Sequence, residues 1–331
     1  MKAIIPLAGK GTRLRPHTHH IPKPLVRVGG RPVLAYILDD LEALGIGEVI
    51  FVVGHLRDEI RRFVDEEYPS LGARYVVQEV QDGTAGAVKL AEPFADDELL
   101  ILFVDTLFDA DLTLAQRLPE EYGGVLWAKE VEDYQRFGVI VTDDEGNMTR
   151  IVEKPSEPIS RLANIGLYHI RDYQLLFEGI NHVLDKDPGP GGEYYLTDAF
   201  QYMVDNGSRL RTAPVEGWYD CGKVETLLDT NRHLLGANRG VTSQEALVDA
   251  TRVDEPVRVE DGVEVRNSSI GPNVTLERGA RVVNSRLQDT IVGHDAVIED
   301  AELRNSLVGA RAQVRNVRGC VNVGDDSEVL G

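Results

Sequence analysis

The sequence predicts an α/β protein in two parts. Residues 1–240 should form a mostly parallel sheet covered by helices on both faces, and residues 241–331 a parallel β-helix. Two observations carry this reading. Up to about residue 240, short, solidly apolar runs alternate with stretches of helical periodicity, as expected of strands buried on both faces. Beyond it the helical patterns stop, no lysine occurs, and Asn-Ser recurs at 267–268, 284–285 and 305–306. Such self-similarity signals stacked coils.

The elements follow in order. AIIPLA (3–8) opens as a strand. VLAYILDDLEALG (33–45) repeats apolar residues at helical spacing and stops at glycine, and EVIFVVG (48–54) returns as a strand. HLRDEIRRFVDEEY (55–68) is an amphipathic helix, ARYVVQ (73–78) a strand, AGAVKLAEPF (85–94) a helix and LLILFVD (99–105) a buried strand. GVIVTDDEGNMTRIVEKP (138–155) reads as a hairpin about the Asp144-Glu145-Gly146-Asn147 turn. Helices are expected over 173–184, 195–207 and 224–236. In the tail, Ile270, Leu276 and Val282 give a six-residue apolar period, and Gly-x-x-Val/Ala recurs at Gly271–Val274, Gly293–Ala296 and Gly309–Ala312. Three or four coils fit.

A length of 331 residues suits two domains. The net charge of −20 argues against nucleic acid and anionic membranes as partners. No apolar run approaches the roughly 18 residues of a membrane span. The N-terminal apolar stretch meets glycine and charge too soon for a secretory signal. Two cysteines, Cys221 and Cys320, build neither a disulfide framework nor a metal site, and a cytoplasmic protein is expected. The charge is unevenly placed. Lys2, Lys10, Arg13, Arg15, Lys23, Arg27 and Arg31 all precede the first acid, Asp39. An acid-free basic stretch in so acidic a chain suits a polyanionic ligand.

Gly9-Lys10-Gly11-Thr12-Arg13 follows the first strand directly. Glycines there would let backbone N–H groups close on phosphate oxygens, with Lys and Arg neutralising them. The run is neither a Walker A loop nor a dinucleotide fingerprint, since Leu14 stands where a third glycine belongs. A bare Gly-x-Gly is commonly only a tight turn. Behind it, however, come Arg15-Pro16 and Pro22-Lys23-Pro24, whose prolines should forbid helix and hold Lys23 on an extended segment.

With these motifs the sequence resembles the sugar-nucleotide pyrophosphorylases, whose signature is GxGTRLxP followed by PKP. The family's frequent extra glycine before the loop is Ala8 here. The resemblance covers residues 1–240 and implies a Rossmann-like catalytic domain, while the tail resembles the left-handed β-helix of longer members. It implies transfer of a nucleotide from dTTP or UTP to a sugar 1-phosphate, with glucose 1-phosphate and dTTP preferred, and pyrophosphate as the other product. Leu7, Ala8, Gly9, Gly11, Thr12 and Arg13 would hold the nucleotide, and Gln78, Gly83 and Thr84 would read its base. Gly138, Glu153, Lys154 and Asn164 would take the sugar phosphate. Arg13, Lys23, Asp105 and Lys154 would be catalytic, and Asp105 and Asp220 would bind Mg²⁺, a hard ion suited to carboxylates and phosphates. Glu193 and Thr197-Asp198 match a further family segment, with a purely structural role equally open.

Other readings stay open. Val104 stands before Asp105 where the family has glycine, which admits a catalytically silent, nucleotide-sugar-binding paralogue. A mannose-1-phosphate guanylyltransferase is the other enzymatic alternative. His17, His19 and His20 read as a solvated loop rather than a metal site, Cys221 as packing, and His294 as weak support for acyl transfer. Self-association through the tail is expected, because stacked sheets leave open ends.

Overall fold

In the computed structural model, which describes residues 1–239 and 241–331, the apolar runs of the first half form a nine-stranded mixed sheet. The expected domain boundary falls on Gly240, outside the described residues. The chain packs as two units interleaved in sequence. One comprises Met1–Gly9 and Ile37–Trp218, the other Lys10–Tyr36 and Tyr219–Gly331.

In the first unit, β1 (Lys2–Pro6) pairs in parallel with β2 (Glu48–Val53), and β2 with β3 (Gly72–Val77). β4 (Leu99–Leu102) lies parallel to β1 on its other side. LLILFVD is shorter as a strand than expected. It ends at Leu102, and Phe103–Asp105 turns into β5 (Thr106–Asp109). Beyond β4 the sheet becomes antiparallel. Three strands there had no clear sequence pattern: β6 (Gly124–Glu130), β9 (Leu162–Ile170) and β10 (Leu210–Pro214). β9 runs against β4, β6 and β7 (Gly138–Thr142). β7 closes the expected hairpin with β8 (Met148–Glu153), and β10 returns parallel to β6.

Residues alternate along these strands. Ile4, Ile50, Ile101 and Leu126 share a core with Val88 of α3 (Thr84–Lys89), Leu176 of α4 (Tyr173–Leu184) and Phe200 of α5 (Leu196–Asp205). Their neighbours Ile5, Phe51, Leu100 and Trp127 are equally buried, so the sheet is covered on both faces. The helices expected from 33 and 55 are α1 (Val33–Ala43) and α2 (Arg57–Glu67). That expected from 224 runs over Val224–Leu234.

The tail in the second unit is a parallel stack. Leu247–Asp249, Glu264–Arg266, Arg281–Val283, Val297–Glu299, Gln313–Arg315 and Glu328–Leu330 form one six-stranded sheet. Register partners are 15 to 17 residues apart. The expected three or four coils are therefore too few: the first rung, Leu247–Asp249, is exposed although its Val248 stands in register with Val265. Val265, Val282, Ile298 and Val314 stack inside.

The Asn-Ser repeats have two meanings. Asn267, Asn284 and Asp300 occupy one corner with φ of 48°, 50° and 52°, a left-handed conformation that Asn and Asp tolerate. Asn267 Nδ2 donates to Asn284 Oδ1 (2.9 Å), and Asn284 Nδ2 to Asp300 Oδ1 (3.1 Å). The Ser268 hydroxyl accepts from Ser285 N–H at 3.0 Å, and that of Ser285 from Ala301 N–H at 3.1 Å. Asn305-Ser306 lies on another corner, in register with Asp289-Thr290. The 17-residue spacing is a coil, and the 21-residue spacing is not.

Candidate active site

The loop after β1 is divided between the two units. In the first unit, Leu7 N–H donates to Val52 O (2.7 Å), and the Gln81 amide donates to Ala8 O. A Cβ on Gly54 would come within 2.8 Å of Ala8 O, so glycine is what lets the end of β2 close on this backbone. A Cβ on Gly9 would meet no protein atom within 4 Å.

In the second unit, Gly11 adopts φ +61° and starts the 3₁₀ turn Thr12–Leu14. Its carbonyl accepts from the Thr18 hydroxyl at 2.8 Å, and its Cα approaches Lys23 so closely that a Cβ would lie 3.0 Å from Lys23 Cβ. Lys23 is not on an extended segment. It opens the third 3₁₀ turn of the loop, Lys23–Leu25, after extended Pro22. Pro24 is tolerated because the first N–H groups of such a turn have no internal partner.

Three expected site residues converge on Gly222. A Cβ there would be 2.7 Å from Asp220 Oδ1, 3.1 Å from Arg13 Nη2 and 3.4 Å from Lys23 Nζ. Asp220 is oriented on both oxygens. Oδ1 accepts from Gly222 N–H (2.6 Å), and Oδ2 from the Thr226 hydroxyl (3.1 Å). Two cations beside one oriented carboxylate can bind phosphate while presenting a hard oxygen to a metal.

Two expectations about the basic stretch need correction. His17 is not solvated. It is 6% exposed, its Nε2 lies 2.7 Å from Asn322 Oδ1, and burial lowers its pKa. Nor are all seven basic residues uncompensated. Lys2 pairs with Glu48 (3.1 Å) and Asp96 (2.6 Å), and Arg27 with Glu260 and Glu277 (both 3.0 Å). A charge count along sequence misses partners that only folding supplies.

The expected sugar-side residues gather in the first unit. Glu153 and Gly138 are register partners across the β7–β8 hairpin. A Cβ on Gly138 would lie 2.7 Å from Glu153 Oε2, 3.1 Å from Thr197 Cγ2 and 3.7 Å from Asn164 Nδ2. Thr197 Oγ1 is 3.4 Å from Glu153 Oε2. Burial raises the Glu153 pKa, and Lys154, whose Nζ is 3.7 Å from Oε1, opposes the shift. Lys154 takes φ +44° and leaves the hairpin toward Tyr195, with Nζ 3.5 Å from the phenol oxygen and 5.0 Å from the ring centroid. Tyr195 carried no sequence signal. Asp198 lines a cavity of about 280 Å³ with His182, Lys186 and Tyr202, and its charge adds to the upward shift of Glu153.

At the segment expected to read the base, Gln78 Nε2 donates to Asp82 Oδ1 (3.0 Å), which leaves its carbonyl oxygen as an acceptor. Gly83 takes φ +119°, and a Cβ would collide with the Tyr194 backbone. The Thr84 hydroxyl accepts from Leu196 N–H at 2.9 Å, and its own O–H can still donate. Asp105 is half-buried after β4, and the Val104 side chain is buried. Cys221 is buried with Sγ 3.8 Å from Tyr219 O.

The nucleotidyl transferase family model matches residues 2–236. The low-salt glycan biosynthesis nucleotidyltransferase Agl11 of Haloferax volcanii is 32% identical, over 95% of this chain and 94% of its own. A glucose-1-phosphate thymidylyltransferase of Streptomyces antibioticus is 30% identical over 99% of both chains. Among solved structures, a UDP-glucose pyrophosphorylase complexed with UDP-glucose superposes with a TM-score of 0.63 at 22% identity, covering 71% of this chain and 98% of that one. No helix among the described residues is long and apolar enough to cross a membrane.

Proposed function

The chain belongs to the nucleotidyl transferase family, and from that premise we propose that it joins a sugar 1-phosphate, glucose 1-phosphate by preference, to dTTP or UTP. An oxygen of the sugar phosphate attacks the α-phosphorus in line. The bond from that phosphorus to the bridging oxygen breaks, and pyrophosphate leaves with the electron pair. The observation that carries this reading is the convergence of Arg13, Lys23 and Asp220 on Gly222.

The proposed division of labour follows residue chemistry. Arg13 and Lys23 neutralise the triphosphate and the charge growing on the leaving pyrophosphate. Leu7, Ala8, Gly9, Gly11 and Thr12 contribute backbone to the nucleotide, while Gln78, Gly83 and Thr84 face its base. Glu153 accepts from sugar hydroxyls, Gly138 and Asn164 leave room for and orient the sugar, and Lys154 meets the 1-phosphate. No protein atom is covalently modified, so catalysis is positioning and charge neutralisation.

Asp220 and Asp105 are the proposed ligands of Mg²⁺. Two carboxylates suit an ion that completes its octahedron with water and substrate phosphates. Among the described residues no cluster of three or more His, Cys, Asp or Glu side chains offers a dedicated cage. When bound, the ion would polarise phosphate oxygens and offset their charge. We assign the transfer to residues 1–240 and a left-handed β-helix to 241–331, the handedness resting on the resemblance. Exposed Leu247, Val248 and Leu330 at the end rungs support self-association, which a monomeric mass in solution would refute. A cytoplasmic location is supported by two free cysteines.

The test is pyrophosphate release from the purified chain with Mg²⁺, across nucleotides and sugar phosphates. Release with dTTP or UTP and glucose 1-phosphate is expected. Release only with GTP and mannose 1-phosphate, or none while nucleotide sugars still bind, would replace this reading. Asp105→Asn and Asp220→Asn should each lower turnover at least about a hundredfold in a folded protein. Wild-type turnover in either would remove that residue from the metal site.

A further inference from the structure

We infer that the tail is the scaffold of the phosphate-binding loop, with His17, Arg27 and Asn231 as positioning residues for Arg13 and Lys23. The inference rests on the role proposed above for those two cations.

Residues 10–32 of the loop contain only 3₁₀ turns and the two-residue strands Arg27–Val28 and Arg31–Pro32 before the helix that starts at Val33. A segment with so few ladder bonds must be held from outside. The tail supplies those holds, and they fall near the cations. Four residues after Arg13, buried His17 meets Asn322 at 2.7 Å. Beside it, a Cβ on Gly324 would touch Pro16 at 3.1 Å. Four residues after Lys23, Arg27 lies between two carboxylates of successive coils. Nη2 donates to Glu260 Oε1 at 3.0 Å, and Nε is 3.0 Å from Glu277 Oε1.

Glu277 is 5% exposed, and a carboxylate so buried stays charged only beside a cation. Arg258, from the same coil as Glu260, packs over Gly30 so closely that a Cβ there would collide with it. Asn231 completes the set from inside. It is 1% exposed, and its Oδ1 accepts from Gly29 N–H at 2.9 Å and from the Thr275 hydroxyl at 2.8 Å. One amide oxygen thus ties the loop to the tail. These contacts use an ion pair with a buried carboxylate, a buried amide and a buried imidazole.

The full-length chain tests this through nucleoside triphosphate affinity, measured by calorimetry without sugar phosphate, and through KM for each substrate. Arg27→Met leaves Glu277 buried without its cation and should lower the melting temperature. Adding Glu277→Gln removes the stranded charge and should restore it. If the pair positions the loop, the double variant still binds triphosphate about tenfold more weakly, with KM for sugar phosphate within about twofold of wild type. Full recovery of affinity would reduce the pair to a stability element and overturn the inference. His17→Gln keeps a donor for Asn322 and should retain wild-type affinity, whereas His17→Ala should lose about three- to tenfold. This arm stands even if the Arg27 variants fail to fold, and equal affinities in the two His17 variants would overturn the inference. Arg13→Ala separates the two readings. Affinity lost there but kept in the His17 and Arg27 variants rejects only the scaffold. Affinity unchanged in Arg13→Ala rejects the phosphate site itself.

Discussion

The sugar-side cluster of the first unit and the phosphate-side cluster of the second are held by different means. Gly138, Glu153 and Asn164 stand on three adjacent strands, with that of Gly138 in the middle, and Glu153 and Gly138 are register partners. Their spacing is fixed by backbone ladders that few side-chain substitutions disturb. Arg13 and Lys23 stand on single 3₁₀ turns with no ladder beneath them. Their spacing depends on side chains such as His17, Asn231 and Arg27. A site built on a sheet should feel local change, while one built on turns should also feel change in its supports.

Two matched substitutions would break this comparison or sharpen it, and they carry the largest expected effects. A Cβ at Gly222 and a Cβ at Gly138 would each come 2.7 Å from a carboxylate oxygen, of Asp220 and Glu153 respectively. Asp220 is short and bonded on both oxygens, so Gly222→Ala should displace it and crowd Arg13. We expect kcat/KM for the triphosphate to fall about a hundredfold. Glu153 has one more rotatable bond and can swing aside, so Gly138→Ala should raise KM for the sugar phosphate only about tenfold. Steady-state kinetics in both substrates checks the pair, and equal losses in the same parameter would erase the distinction.

The same contrast explains what was legible in the sequence. GxGTRLxP and PKP were readable because glycines, prolines and cations lie in one contiguous run. The hairpin of Gly138 and Glu153 was readable from its turn. The ion pairs of Arg27 with Glu260 and Glu277 span more than 230 residues, and no local pattern announces such a pairing. For that reason the acid-free stretch looked uncompensated, and His17 looked solvated. Tyr195 beside Lys154 was missed because the Tyr194-Tyr195 pair at the start of a helix reads as packing. β9 was missed because its place between β4, β6 and β7 is set by pairings that no local pattern announces. The tail coils were legible from repeats, yet Asn305-Ser306 shows that a repeated dipeptide can mark two different corners.

A smaller effect separates the clusters by pH. Burial holds the Glu153 carboxyl above its ordinary range, with Lys154 and Thr197 opposing. The fold therefore favours the protonated form, so this group's stabilising contribution is present at acid pH and lost as pH rises through the folded pKa. Binding runs the other way. Protonation removes an acceptor for a sugar hydroxyl, so KM for the sugar phosphate should climb as pH falls through that raised value. Glu153→Gln should abolish this dependence at a cost of about tenfold in KM. KM for the triphosphate should not follow the same curve, and a shared curve would place Glu153 in both clusters.

The smallest effect concerns a tail corner remote from the loop supports. Asn284 stands at φ +50° and bonds both Asn267 and Asp300. Asn284→Ala should cost about 1–2 kcal/mol, combining left-handed backbone strain with lost side-chain bonds. Asn284→Gly relieves the strain but not the bonds, so about 0.5–1.5 kcal/mol should remain. Urea unfolding of the two variants separates the contributions, and a glycine variant as stable as wild type would mean the amide ladder adds nothing. Neither should move triphosphate affinity, because the loop rests on Glu260, Thr275, Glu277 and Asn322 rather than on this corner. A loss of affinity in Asn284→Gly would show that the coils act as one rigid rod, and that the turns of the phosphate loop sense the whole stack rather than the residues they touch.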